Sequence, residues 1–229
     1  MRRIGLIGGM SWESTAEYYR LLNQGVRKRL GGLHSAECLV YSVDFASIEV
    51  LQVRGEWEEA GAQLASAART LEGAGAELLL LCTNTMHIVA EQVQDAVGVP
   101  LLHLADVTAA AVTQSGRQTV GLLGTAFTMD QAYYRERLES HGLTVLVPEP
   151  GDRQLIHRVI YDELCVGIVA DSSREAYLEV IDRLTEGGAQ GVILGCTEIE
   201  LLVDQSHTDV AIFPTTTLHV EAALDMALS

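Results

Sequence analysis

Cysteine is scarce in this 229-residue chain: Cys38, Cys82, Cys165 and Cys196 lie far apart, and none forms a C-x-x-C pair. In a reducing compartment that spacing excludes a disulfide framework and a structural zinc site. Basic residues are also scarce. Fifteen Lys and Arg stand against 31 Asp and Glu, a formal net charge of −16, which argues against nucleic acid and anionic membranes as partners. An anionic substrate would have to be held by local donors, because the long-range field opposes it. No apolar run approaches the roughly 18 residues that read as a membrane span. Met1-Arg-Arg leads straight into a strand pattern with no secretory leader, so a cytoplasmic location is expected. The seven histidines (His34, His87, His103, His141, His157, His207, His219) show no i, i+4 or H-x-H pattern, and no metal is expected. What is abundant is apolar residue, 48% of the chain with a mean hydropathy of +0.19. That is ample for a packed core.

Two short apolar runs organise the chain. Leu79-Leu-Leu-Cys82-Thr83-Asn84-Thr85-Met86-His87 and Val192-Ile-Leu-Gly195-Cys196-Thr197-Glu198-Ile199 each end abruptly in Cys-Thr and turn polar. Such runs read as buried parallel strands whose polar residues emerge at the carboxyl end, where ligands bind in open α/β sheets. Around them the pattern occurs twice. Arg3–Gly9 and Gln118–Thr125 are strands running into glycine turns. Ser11 caps a helix that reaches Leu30 and stops at Gly31-Gly32. Glu37–Asp44 is a second strand, residues 45–55 a polar connection, and Glu56–Leu71 a helix. Glu77–Cys82 and Gly191–Cys196 are matching strands, as are Leu101–Leu104 and Val210–Phe213. Thr83–Val97, Met129–Ser140, Arg153–Cys165, Ser172–Glu186 and Thr216–Leu228 carry helical spacing. Duplication explains the matched pieces better than chance does. The expected fold is α/β: two pseudo-symmetric parallel-sheet subdomains, residues 1–112 with 216–229 and residues 113–215, with the active site in the cleft between them.

Gly5-x-x-Gly8-Gly9 is not a G-x-G-x-x-G fingerprint, which argues against a dinucleotide. The glycine turn suits the approach of a small ligand to backbone amides. Asp44 and Asp106 follow apolar strands and read as caps or turn residues. His87, one helical turn after Thr83, is placed either to orient a strand-end group or simply to pack. A thiol between a buried strand and a following helix is exposed to the helix dipole, which lowers its pKa and yields a usable thiolate. Cys196 meets that description, with Gly195 permitting close approach. In the other half either Cys82 or Thr83 faces the site. Two acid/base groups on opposite sides of a carbon acid can invert a stereocentre without a cofactor.

Ile4-Gly-Leu-Ile-Gly-Gly-Met-Ser-Trp-Glu-Ser-Thr15, Cys82-Thr-Asn-Thr-Met-His87 and Gly195-Cys-Thr-Glu198 together resemble the aspartate/glutamate racemase family, over the whole chain. The resemblance implies a cofactor-independent racemase of two related α/β halves, expected as a homodimer. Its two catalytic thiols fall on Thr83 and Cys196, with Cys82 in reserve, and a threonine at the first position resembles the L-aspartate/glutamate-specific subgroup. It further implies that Met10, Ser11, Gln52, Asn84, Thr85, Thr125, Thr197 and Glu198 contact an aspartate or glutamate substrate. Members that carry Arg and Lys in two loops differ from this chain, which has Ser47-Ile48-Glu49 and Gly167-Ile168-Val169 there; Arg54 is the nearest substitute. A related isomerase or decarboxylase, or an amino-acid-binding protein without turnover, are the rival expectations.

Overall fold

The computed structural model describes residues 1–229 and contains two four-stranded, all-parallel sheets with helices packed on them. In the first, β1 (Ile4–Gly8), β2 (Cys38–Ser42), β3 (Leu78–Leu81) and β4 (Leu101–Leu102) pair in the order β2-β1-β3-β4. In the second, β5 (Thr119–Gly124), β6 (Thr144–Leu146), β7 (Gly191–Gly195) and β8 (Ala211–Pro214) repeat that order as β6-β5-β7-β8. Strands β1, β3 and β7 are buried at every position. Coverage on both faces is why they read as unbroken apolar runs rather than as alternating ones.

Helix α1 (Trp12–Leu30) starts where expected. Ser11 Oγ accepts the Ser14 N–H, and Gly31, at φ 75°, ends the helix. The expected polar connection after β2 is instead a helix, α2 (Phe45–Arg54), capped by Asp44 on the Ala46 N–H and closed by left-handed Gly55. Its buried face is only Ile48, Leu51 and Gln52, too narrow a stripe to be read from spacing. Helix α3 (Trp57–Gly73) follows. The single helix expected over 83–97 divides into a 3-10 turn, Thr85–Val89, and α4 (Ala90–Asp95). Next comes α5 (Leu104–Gln114). The helix expected from Met129 begins earlier and breaks into α6 (Ala126–Asp130) and α7 (Ala132–Ser140) at Gln131, which is extended at φ −81°, ψ 142°. Helices α8 (Pro150–Asp162), α9 (Asp171–Glu186), the four-residue α10 (Ile199–Leu202) and α11 (Thr215–Leu228) complete the chain.

The chain forms two compact units, Met1–Leu104 with His219–Ser229, and Ala105–Leu218. All of helix α5 after its first residue, Leu104, therefore lies in the second unit, where the sequence pattern had set residues up to 112 in the first. Asp106 supplies the reason: its carboxylate receives both Arg137 Nε (2.7 Å) and Nη2 (2.8 Å) from α7, and His141 Nε2 lies at 2.9 Å. Asp106 is an anchor and not a cap. In the first unit, strand alternation sends Ile4, Leu6, Leu78, Leu80 and Cys82 against Tyr18, Leu22 and Leu224. Ile7, Leu79 and Leu81 face the opposite way, onto Ile48, Leu64 and Leu71. The second unit packs Leu123, Val192 and Leu194 against α8 and α9 through Ile156, Tyr177 and Ile181. Each fully buried leucine contributes about 1.5–3 kcal/mol by removal from water. No helix is long and apolar enough to cross a membrane.

Candidate active site

Sheet register aligns the two strand ends residue by residue. Strand β1 pairs Ile7 with Leu81, so Gly8, its last residue, sits beside Cys82. Strand β5 pairs its own last residue, Gly124, with Gly195. Cys82 thus corresponds to Gly195, and Thr83 to Cys196. The outer strands agree: Leu80 pairs with Leu102, and Ile193 with Phe213, which brings Leu104 and Thr215, the first residues of α5 and α11, into correspondence. Burial follows the same frame. Cys82 and Gly195 are buried, whereas Thr83 and Cys196 are half-buried and reach solvent.

At the first end, Cys82 is core. It is 0% exposed among Ile4, Leu6 and Tyr18, and burial raises the pKa of its thiol well above the ordinary range. Its carbonyl accepts Ser14 Oγ–H at 3.2 Å. Thr83 follows, between bends at Cys82 and Asn84, its carbonyl 2.7 Å from His87 Nδ1. The Leu104 N–H donates to His87 Nε2 (3.2 Å), so Nδ1 carries the proton and donates to Thr83. His87 is neutral: burial first, then the neighbouring rings of His103 and His219, hold its pKa well below the usual value. His87 thus bonds the Thr83 backbone and also packs, buried, against the rings of His103 and His219. His219 is likewise locked between the Tyr18 hydroxyl and the Leu102 carbonyl, both at 2.9 Å, and burial pushes it down to about 4.

Beside Thr83 in the chain, Asn84 and Thr85 are buried, and Ser11 caps α1 after the end of β1. Gln52 Nε2 donates to Met86 Sδ (3.0 Å), and Met10 packs with Ile48 and Met86. The glycine-turn amide of Gly9 is already bonded to Thr15 Oγ1 at 2.8 Å, so that N–H is not a ligand donor as expected.

At the second end, Cys196 Sγ donates to Glu198 Oε2 at 2.9 Å. The sequence pattern predicted a thiol acidified by the next helix. The structure reverses that. Helix α10 has four residues, and burial, followed by the Glu198 carboxylate, holds the Cys196 pKa well above its usual value. Thr125, on the neighbouring strand end, caps α6 through the Thr128 N–H (3.3 Å). Thr197 Oγ1 accepts from Thr216 Oγ1 at 3.0 Å. Sequence reasoning missed Glu200, whose Oε1 accepts the Thr216 N–H (2.8 Å) and whose Oε2 accepts Thr217 Oγ1–H (3.0 Å). Burial raises the Glu200 carboxyl to about 7. The run Thr215-Thr216-Thr217 was its only signal.

Comparison with known proteins shows what the chain is similar to. The family model for Asp/Glu/hydantoin racemase matches residues 7–223. A solved structure of a candidate Asp/Glu racemase from Yersinia pestis is 53% identical over the full length of both chains, with a TM-score of 0.94. An aspartate racemase homologue from Pyrococcus horikoshii is 34% identical, also over both full chains, with a TM-score of 0.91. The broad specificity amino-acid racemase RacX of Bacillus subtilis is 21% identical over 219 residues, 91% of each chain.

Proposed function

Since the chain belongs to the Asp/Glu/hydantoin racemase family, we propose that it inverts the Cα of L-aspartate and/or L-glutamate by two-base proton transfer. Cys196 and Thr83 are the two acid/base groups. The observation that carries this is the register: these two residues hold the same place at the carboxyl ends of β3 and β7, and both reach solvent. Cys82, turned into the apolar core, is set aside.

Glu198 is the base for the thiol. Transfer of the Sγ proton to its carboxylate leaves a thiolate beside a neutral acid and conserves charge. The thiolate then takes the Cα proton, the electron pair spreads into the substrate carboxylate, and the opposite face is protonated from Thr83 Oγ1. Before the next turnover Glu198 releases its proton to solvent and Thr83 recovers one from it, so the cycle closes with no net proton change. A hydroxyl is a far weaker acid than a thiol, so exchange on the Cys196 side outruns inversion. Ser11, Asn84, Thr85, Thr125 and Thr197 supply donors for the substrate carboxylates, and the Glu198 oxygen that takes no proton accepts from its ammonium group; Met10 and Gln52 support them. No organic cofactor is required in this scheme. A pyridoxal enzyme needs a lysine at the reacting carbon, and Lys28, the only lysine, is exposed in the last turn of α1, remote from the strand end at which that helix begins. The working form is proposed to be a cytoplasmic homodimer.

Incubation of L-aspartate and L-glutamate in D2O without cofactor, followed by NMR of the Cα proton and chiral separation, tests the proposal. Loss of the Cα signal with slower appearance of the D isomer is expected; binding without exchange refutes it. One observation favours a second reading, a racemase for neutral side chains. No Arg or Lys stands among the strand-end residues, and Arg54 is exposed at the end of α2. Homoserine and glutamine in the same assay separate the two.

A further inference from the structure

The correspondence of Thr83 with Cys196 extends four residues onward, to His87 and Glu200. Each is a titratable side chain in the first turn or so after a strand end, and each accepts a backbone N–H from the first turn of the helix after the outer strand. Leu104 N–H of α5 donates to His87 Nε2 (3.2 Å), and Thr216 N–H of α11 donates to Glu200 Oε1 (2.8 Å). Each also ties back to its own turn: His87 Nδ1–H holds the Thr83 carbonyl at 2.7 Å, while Thr216, fixed by Glu200, bonds the Thr197 hydroxyl at 3.0 Å. Thr215 Oγ1 adds a bond to the Leu194 carbonyl (2.8 Å). Two different chemistries thus make the same connection in both halves.

We infer that His87 and Glu200 are paired positioning residues, each latching its acid/base turn to the start of the helix after the outer strand, His87 for Thr83 and Glu200 for Cys196-Thr197. This rests on the two-base reading for its catalytic consequence, and on geometry alone for the latch. Neither side chain touches the reacting atoms. What each fixes is the direction of the group four residues before it, and small misplacements of a reacting group are costly.

Because the latches serve different bases, they separate kinetically. With L-aspartate in D2O, the Cys196 side reports as Cα–H exchange with retention, and the Thr83 side as inversion. His87→Leu is expected to slow inversion by about tenfold while exchange with retention stays within about twofold, because only the Thr83 turn is loosened. Glu200→Leu is expected to slow both by about tenfold, since every turnover of the L isomer starts at Cys196. Glu200→Gln, which keeps an oxygen acceptor for the Thr216 N–H, is expected to restore most of that loss. A role in stability alone would lower both rates together in both variants, and an unchanged ratio in His87→Leu overturns the inference. Should a leucine variant fail to fold, His87→Asn and Thr216→Val probe the same two connections. Amide hydrogen exchange by mass spectrometry decides the latch independently of turnover. Faster exchange confined to residues 83–89 and 104–108 for His87 variants, and to 196–202 and 215–218 for Glu200 variants, supports it. Unaltered protection there overturns it, whereas wild-type protein that exchanges no substrate proton overturns only the racemase reading.

Discussion

The carboxyl of Glu200 makes a stability prediction whose sign is fixed by its surroundings. Folding raises its pKa from the ordinary 4.5 to about 7, chiefly by burial, with the Thr216 and Thr217 bonds pulling the other way. The folded state therefore holds this proton more tightly than the unfolded state, and stability from this group falls as pH rises from about 4.5 through 7. At ~1.4 kcal/mol per pH unit, the full change is on the order of 3 kcal/mol. Two histidines run oppositely. His87 and His219 are held neutral, the latter near 4, so their stabilising effect is complete above the ordinary value of 6.5 and is lost as pH falls toward their folded values. The wild-type profile thus mixes opposing slopes, but Glu200→Gln isolates one of them. Gln imitates the protonated acid at every pH. Urea midpoints of both proteins, taken at intervals from about pH 4.5 to 8, should diverge steadily, with the variant gaining as much as ~3 kcal/mol relative to wild type by the upper end. A difference that stays flat across that range would refute the account of Glu200 as a half-buried, proton-holding latch.

Other outcomes follow from the two strand ends. Cys196→Ser should cut Cα exchange in D2O by at least about a hundredfold, because a hydroxyl replaces the one thiol that reaches solvent beside Glu198. Thr83→Cys should raise the rate measured from the D enantiomer, and chiral chromatography starting from D-aspartate checks it; an unchanged rate places the second base elsewhere. Cys82→Ala should leave the ratio of exchange to inversion as in wild type and cost about 1 kcal/mol in denaturant unfolding, the price of one buried sulfur atom.

Much of this was readable from residues alone because the central strands are covered on both faces. Leu78–Leu81 and Gly191–Gly195 must be continuous apolar runs, and Ser11 and Gly31 end their helix by local chemistry that needs no tertiary partner. The misreadings share a cause: they concern residues whose role is set by something distant in sequence. Helix α2 exists because Ile48 and Leu51 find α3 and β3, not because of its own spacing. Asp106 follows a strand and looks like a cap until Arg137 arrives from 31 residues away. Cys196 looks acidified when a helix is expected straight after it, and ceases to when that helix is four residues long and Glu198 turns back onto the sulfur. Glu200 was invisible, since nothing local announces a carboxylate that caps a helix sixteen residues later.

The burial of Cys82, at the place that Gly195 holds in the other half, also bears on how a duplicated chain can diverge. A side chain at position 195 would bring its Cβ within 2.9 Å of the Leu123 carbonyl oxygen, so only glycine fits there. At position 82 the reverse holds, because removing the thiol leaves a void among Ile4, Leu6 and Tyr18. The two turns therefore cannot be exchanged between halves, although one ancestral copy explains both. What remains adjustable is the single residue after each, the threonine in one half and the thiol in the other. Drift in this chain is channelled toward changing which proton carrier stands at a strand end, and away from moving it.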